Sequence, residues 1–232
     1  LMFGAADLSS ARAIERDGQP ALLLDVPPAA MRAMGPRIGH WMPVGNEGSG
    51  RVVAAGSHPD AQALFGKRVG MFGGEMYAGY RCVPIDQCMP FSDAISSEQA
   101  ASCFVNPMTA LGFMETRDME GQKAIVHTAA ASNLGQMLNR LCQADGVPLV
   151  NIVRSGEQVT LLKSQGAEWV LNSSDEDFMS QLIEALVATG ATLAFDAIGG
   201  GKGVNRILTA MELAAAKTGP WSRYGSEEPK QA

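Results

Sequence analysis

Residues 124–155 read AIVHTAAASNLGQMLNRLCQADGVPLVNIVRS, and this stretch decides the fold. It begins with a short apolar run, Ala124–Thr128, and passes through small residues into a helical pattern with its apolar side chains on one face. A second apolar run, Pro148–Val153, follows Gly146 and has the character of a buried strand. The pattern predicts a βαβ unit of the dinucleotide-binding type.

The turn between the first strand and the helix consists of small residues, Ala129–Asn133. Small side chains let the backbone approach a pyrophosphate, and the start of a helix offers free N–H groups and a partial positive charge. The usual G-x-G-x-x-G fingerprint is not intact, and what remains is Ala129-x-x-Ser132-x-x-Gly135. The alternative is a plain β–α turn, as found in any α/β protein.

Composition and charge restrict the function classes that are open to the chain. Its 232 residues are 46% hydrophobic and 18% charged, which is ordinary for a globular protein. The net charge of −6 argues against nucleic acid or an anionic membrane as the main partner, so we expect a small-molecule substrate. No apolar run is long enough to span a bilayer, and the N-terminus lacks the features of a signal peptide.

Four cysteines are scattered through apolar settings, which predicts buried free thiols in a reducing cytoplasm; they are Cys82, Cys88, Cys103 and Cys142. We therefore predict a cytoplasmic protein.

The chain has two compositional zones. Residues 1–120 are rich in Gly, Pro and Met, and the zone predicts a short helix closing at Arg12–Asp17 and a helix starting at the capping box of Ser96–Gln99. Strands are predicted at Ala21–Val26, Lys67–Phe72 and Tyr77–Val83, with one more entered after Gly45, Gly48 and Gly50.

Residues 121–218 alternate strand and helix patterns, as a parallel α/β sheet requires. Two further strands, Glu168–Leu171 and Thr192–Asp196, give a doubly wound sheet of order 3-2-1-4. The helices between and after the strands are predicted at 156–165, 175–188 and 204–216. The fourth strand would then be an uncovered apolar edge, so we expect the sequence to be incomplete at its C-terminus.

Five motifs in order resemble those of one enzyme family: GNEGSGRVVAAG (45–56), FVNPMTALGFMET (104–116), VHTAAASNLGQ (126–136), Gly166-Ala167 and FDAIGG (195–200). Together they are similar to the medium-chain dehydrogenase/reductase superfamily, in its zinc-free quinone oxidoreductase and enoyl reductase branch. The resemblance implies an incomplete Rossmann domain at 119–232 and a partial GroES-like β domain with its connecting helix at 1–118. It also implies a fragment or a naturally shortened member, whose full-length relatives are homodimers.

The resemblance implies hydride transfer between a nicotinamide cofactor and a quinone or conjugated enone substrate. Backbone N–H groups of the small-residue turn would contact the pyrophosphate, and further residues would surround the nicotinamide and its ribose. The implied cofactor positions are Asn106, Thr109, Ala131, Ser132, Asn133, Leu134, Asp196, Ile198 and Gly199. For Asn106 and Asp196 the alternatives are helix breaking and strand termination.

Arg154 and Ser155 follow the second strand, where NAD-specific folds place an acidic residue on the ribose 2′-hydroxyl. An arginine at this position pairs with a 2′-phosphate through charge-assisted hydrogen bonds, so NADPH is predicted, with NADH left open. The alternative is an exposed surface arginine.

Zinc separates the branches of the family, and no zinc is predicted here. The zinc branch has a histidine in its GHE motif where this chain has Asn46, and Cys82-x5-Cys88 has the wrong spacing for a structural site. The histidines His40, His58 and His127 have no paired spacing. Hydrogen bonds must then polarise the substrate, which suits a quinone or a conjugated C=C.

Two other functions stay open: a cofactor-binding redox sensor or structural protein without turnover and, more weakly, a zinc-dependent alcohol dehydrogenase. No catalytic acid is predicted. The tyrosines Tyr77, Tyr80 and Tyr224 are potential proton donors, but a core or rim role is favoured for each.

Overall fold

The computed structural model describes residues 6–35, 38–41, 44–199, 201–220 and 222–232. The chain divides into two compact units, Leu1–Val44 and Gly45–Ala232, and each is described by itself. The predicted domain boundary at 118/119 stays a prediction. No helix within the described ranges is long and apolar enough to cross a bilayer.

The first unit contains a β-hairpin, in which β1 (Asp7–Arg16) pairs antiparallel with β2 (Gln19–Asp25), followed by α1 (Pro28–Ala33). The prediction of a helix closing at Arg12–Asp17 is wrong. Asp17 and Gly18 both have positive φ, at 54° and 73°, which is the backbone that a two-residue hairpin turn requires. The Asp-Gly pair was the signal for that turn.

A three-stranded antiparallel sheet opens the second unit, with β4 (Arg68–Phe72) between β3 (Glu47–Arg51) and β5 (Cys88–Phe91). The prediction of a strand at Tyr77–Val83 is wrong, because β3 and β5 already occupy both edges of β4. A short helix, α2 (Pro59–Ala63), connects β3 to β4.

Helix α3 (Ser97–Ala100) begins at the predicted capping box, which is confirmed. The Ser96 hydroxyl accepts the N–H of Gln99 at 3.2 Å, and the Gln99 side chain accepts the N–H of Ser96 at 2.9 Å. Helix α4 (Val105–Met119) follows, and Pro107 lies in its first turn, where the missing N–H breaks no helical hydrogen bond.

Four parallel strands form the main sheet, in the order β8-β7-β6-β9. This is the predicted 3-2-1-4 order, and the α/β fold class is confirmed. The strands are β6 (Ile125–His127), β7 (Leu149–Val153), β8 (Trp169–Asn172) and β9 (Leu193–Phe195). The helices that connect and follow them are α5 (Asn133–Ala144), α6 (Gly156–Ser164), α7 (Phe178–Thr189) and α8 (Gly203–Thr218).

The core lies on both faces of this sheet because neighbouring residues of a strand point to opposite faces. Val126 belongs to the cluster that α7 and α8 cover, whereas Ile125 packs in a cluster with residues of α4 and α5. Among the four cysteines only Cys142 is buried, so the prediction of buried thiols is wrong for the other three. Burial raises the pKa of the Cys142 thiol to about 12.

The outer edge of β9 is not uncovered, which corrects the expectation from the strand order. Gln231 lies beside this edge: its N–H donates to the Thr192 carbonyl at 2.9 Å, and its carbonyl accepts the Ala194 N–H at 2.8 Å. Glu212 of α8 holds the same segment, because its carboxylate accepts the Ser226 N–H at 2.8 Å and pairs with Lys230 at 2.7 Å. The polar segment after α8 therefore satisfies part of the edge.

Candidate functional site

The parallel sheet has a topological switch point between β6 and β9, because the strands that follow β6 in the chain lie on both sides of it. From β6 the chain proceeds through β7 to β8 on one side, and β9 then pairs with the opposite edge of β6. In open α/β sheets such a switch point leaves a crevice at the carboxyl ends of the two strands, where ligands bind. The turns after β6 and β9 both lie at this end of the sheet.

The turn after β6 is held close to the sheet by its backbone. Ala129 has a positive φ of 51°, and the N–H of Ala130 donates to the Ile152 carbonyl of β7 at 3.2 Å. A Cβ on Gly135 would lie 2.2 Å from the Ala130 carbonyl oxygen. Glycine is therefore required for the first turn of α5 to pack on this loop.

Ser132 begins α5 as its N-cap, and its hydroxyl accepts the Gly135 N–H at 3.2 Å. Asn133 and Leu134 are the first two residues of the helix, so the helix itself offers their N–H groups no acceptor. Within the described ranges neither N–H has a hydrogen-bond acceptor. With the partial positive charge of the helix end, these two donors suit an anionic group such as a pyrophosphate.

The loop after β9 is organised by Asp196. Its carboxylate accepts the Thr128 hydroxyl at 2.5 Å, the Ile198 N–H at 3.2 Å and the Gly199 N–H at 3.0 Å. Burial raises the pKa of Asp196, but these hydrogen bonds outweigh it and hold the pKa below its ordinary value. Asp196, Ile198 and Gly199 thus come together in one turn, while Gly200 of the FDAIGG motif lies outside the described residues.

Thr128 is a residue that the sequence reasoning missed. Besides donating to Asp196, its oxygen accepts the Ala197 N–H at 2.9 Å, so this buried side chain joins the ends of β6 and β9. Its place directly after an apolar strand was the only signal in the sequence.

Arg154 and Ser155 lie directly after β7, as predicted. Ser155 is the N-cap of α6, and its hydroxyl accepts the Gln158 N–H at 3.4 Å. The Arg154 backbone is fixed on both sides, by the Gln158 side chain at 3.1 Å and the Ser174 hydroxyl at 3.1 Å. Its guanidinium is exposed and has no ion-pair partner among the residues that the structure describes.

Asn106 and Thr109 lie near the start of α4. Phe113, one turn after Thr109, stacks on Phe195 with ring centroids 3.9 Å apart and contacts the His127 ring at 5.6 Å. Because α4 then leads back to the beginning of β6, its first turns lie beyond the carboxyl ends of β6 and β9. The predicted cofactor positions therefore come from four segments around one end of the sheet; their contact with a cofactor stays a prediction.

His127 is fully buried at the end of β6, with Nδ1 at 3.1 Å from the Phe195 carbonyl and no partner for Nε2 among the described residues. Burial lowers the pKa of His127, because the imidazolium would lose its hydration, and the Phe195 carbonyl and Asp196 offset this only in part. The residue is a neutral structural histidine in the fold, whereas His40 and His58 are exposed.

The buried His127 predicts a pH-dependent stability. Its folded-state pKa is lowered, so below about pH 6.5 the unfolded chain binds a proton that the folded chain does not. The free energy of unfolding should have its full value above that pH. As the pH decreases further, it should decrease by at most about 1.4 kcal/mol per pH unit because of this group. Urea unfolding at pH 7.5 and 5.5 measures the fall, which His127→Gln should reduce and a change at the exposed His40, His40→Gln, should leave unchanged. An equal fall in the His127→Gln protein would contradict the assignment.

A cavity of about 720 Å³ lies elsewhere in the second unit, against the antiparallel sheet. It is lined by β3 and by residues 78–83, and none of the predicted cofactor positions lines it. Tyr77, Tyr80 and Tyr224 are 80%, 85% and 92% exposed, so of the expected core or rim role the core alternative is wrong, while the rim alternative stays a prediction. No group of three or more metal-ligating side chains occurs within the described part of the chain.

Comparison with known proteins gives relatives that are named as oxidoreductases or reductases. No family model matches the chain. A quinone oxidoreductase of Pseudomonas aeruginosa is 26% identical over 159 residues, which are 67% of this chain and 49% of that protein. A mitochondrial enoyl-[acyl-carrier-protein] reductase of Caenorhabditis elegans is 29% identical over 191 residues, 79% of this chain and 53% of that protein.

Among solved structures, a protein from Mesorhizobium loti provisionally named an NADPH:quinone reductase has 36% identity and a TM-score of 0.66. The match covers 73% of this chain and 50% of that one. The chain thus spans about half the length of these relatives.

Proposed function

We propose that this chain, which belongs to the quinone oxidoreductase and enoyl reductase branch of the medium-chain dehydrogenase/reductase superfamily, binds NADPH and serves the reduction of a quinone or a conjugated enone without zinc. The cofactor site is the crevice at the carboxyl ends of β6 and β9. The family assignment supports the reaction class, and the site supports the cofactor.

One observation carries the proposal: the N–H groups of Asn133 and Leu134, which have no acceptor among the residues that the structure describes, lie at the start of α5 at the switch point of the sheet. The backbone of Gly135 lies so close to that of Ala130 that a Cβ is excluded. This close packing leaves the N–H groups at the start of α5 accessible to a pyrophosphate. A plain β–α turn also leaves the first N–H groups of its helix free, but it does not need a backbone approach that excludes a Cβ at Gly135.

The residues of this chain bind and orient; the nicotinamide, when bound, supplies the hydride. N–H donors at the start of α5 would hold the pyrophosphate. The exposed Arg154 guanidinium would neutralise the 2′-phosphate, and the Ser155 hydroxyl lies beside it at the start of α6. The turn after β9 is held rigid because the Asp196 carboxylate accepts the N–H groups of Ile198 and Gly199, and it would contact the nicotinamide end of the cofactor.

NADPH is favoured over NADH because the end of β7 carries an arginine and no carboxylate. Arg154 and Ser155 stand at the position of the acidic residue that NAD-specific folds use for the ribose. The name of the Mesorhizobium loti relative agrees with this cofactor.

Titration of the protein with NADPH, followed by the change in nicotinamide fluorescence, tests the cofactor. NADPH oxidation in the presence of a soluble quinone or an α,β-unsaturated ketone then tests the reaction. Saturable binding with oxidation that depends on the acceptor supports the proposal. Saturable binding without oxidation would favour a redox sensor or structural protein, and absence of binding would contradict the cofactor site.

The purified protein is expected to carry no stoichiometric zinc. Asn46 occupies the position of the histidine ligand in the zinc branch, and it is exposed beside Glu47. Elemental analysis should give well below one zinc per chain, and treatment with a chelator should leave NADPH binding unchanged. One tightly held zinc per chain would favour an alcohol dehydrogenase and overturn the proposed substrate class.

A further inference from the structure

The start of α4 is capped from a distant part of the chain. One carboxylate oxygen of Glu47, Oε2, accepts the N–H of Phe104 at 2.9 Å and the N–H of Val105 at 2.8 Å. Phe104 is the N-cap residue of α4, and no side chain of the helix caps it locally. A negative charge at this end of a helix also interacts favourably with the helix dipole.

A second contact acts at the same point. Glu47 in β3 lies opposite Phe72 in β4, and the Phe72 ring packs against the Phe104 ring with centroids 4.8 Å apart. Two neighbouring residues of the antiparallel sheet therefore contact Phe104: Glu47 binds its backbone N–H, and Phe72 packs against its ring. The sheet fixes both the position and the rotation of the first turn of α4.

The first turn carries Asn106 and the second begins with Thr109, and Phe113 in the third turn packs against the ends of β6 and β9. A shift of Phe104 would therefore displace Asn106 and Thr109 before it displaced other predicted cofactor positions. The parallel sheet and the turn after β6 do not depend on Glu47.

We infer that Glu47 is a positioning residue: by capping α4 it orients Asn106 and Thr109 toward the nicotinamide end of the crevice. The inference rests on the proposed function, since it concerns the same cofactor site. It assigns the antiparallel sheet a role in cofactor binding without any direct contact.

The test compares two ligands, NADPH and 2′-phospho-ADP-ribose, which lacks the nicotinamide. Glu47→Ala should weaken NADPH binding by about tenfold, the size of effect seen for residues that act through neighbours. It should leave the Kd of 2′-phospho-ADP-ribose unchanged, because the turn after β6 and Arg154 are untouched. Glu47→Gln keeps an acceptor oxygen and should recover most of the NADPH affinity.

Glu115→Ala is the matched control, since Glu115 is exposed on the same helix. It should change neither Kd. An equal loss for both ligands in Glu47→Ala, with a lowered Tm, would show a merely structural role and overturn the inference, as would an unchanged NADPH affinity. Failure of the parent protein to bind either ligand would instead contradict the proposed function.

Discussion

Gly135→Ala is expected to destabilise the protein and to abolish its affinity for NADPH. The new Cβ would lie 2.2 Å from the Ala130 carbonyl oxygen and 2.6 Å from its Cα, and all the clashing atoms belong to the backbone. Neither side can rotate away, so α5 must move off the turn. Overpacking of this kind costs about 1–3 kcal/mol of the free energy of unfolding. Urea unfolding and NADPH titration measure the two effects.

Gly112→Ala provides the control, because Gly112 is also helical and, apart from the backbone of its own helix, no atom of the described residues lies within 4 Å of an added Cβ. That change should stabilise the protein by roughly 0.5–1 kcal/mol, since alanine restricts the unfolded chain. Similar stability and affinity for the Gly135→Ala and parent proteins would contradict the close packing of α5 on its turn.

Arg154→Ala is expected to weaken NADPH binding while leaving NADH binding nearly unchanged. The loss of a charge-assisted pair with the 2′-phosphate costs about 1.5–3 kcal/mol, which is about tenfold to more than a hundredfold in Kd. NADH lacks that phosphate and loses nothing. Parallel titrations with both cofactors measure the ratio.

Arg140→Ala is the matched control, because Arg140 is exposed near the middle of α5. It should lower both affinities slightly or not at all. Equal NADPH and NADH affinities in the parent protein would show that Arg154 is an ordinary surface arginine.

The parallel sheet could be predicted because each of its βαβ units is encoded locally. The run from Ala124 to Val153 contains a strand, a turn, a helix and a second strand, with Gly146 just past the helix end. Hydrophobic periodicity distinguishes these elements without knowledge of distant contacts.

Elements that depend on pairing could not be predicted in the same way. The residues at Arg12–Asp17 are polar enough for a helix, and only the pairing of Arg12–Arg16 with β2 makes those five a strand. The strand predicted at Tyr77–Val83 fails because other strands occupy both edges of β4. Gln231 pairs with β9, although the polar residues around it show no strand periodicity.

The candidate site likewise has features that could be predicted from local sequence and features that could not. The turn of Ser132–Leu134 and the position of Arg154 follow from their place after strands. The joining role of Thr128 and the cap from Glu47 arise from contacts 69 and 57 residues apart in the chain. No local sequence pattern indicates contacts between residues so far apart in the chain.

A structure of the protein with NADPH bound shows directly whether the start of α5 at the switch point binds the cofactor. We expect the pyrophosphate within hydrogen-bond distance of the Asn133 and Leu134 N–H groups, and the 2′-phosphate beside Arg154. NADPH bound elsewhere, or bound at the crevice with its pyrophosphate away from α5, would contradict this expectation.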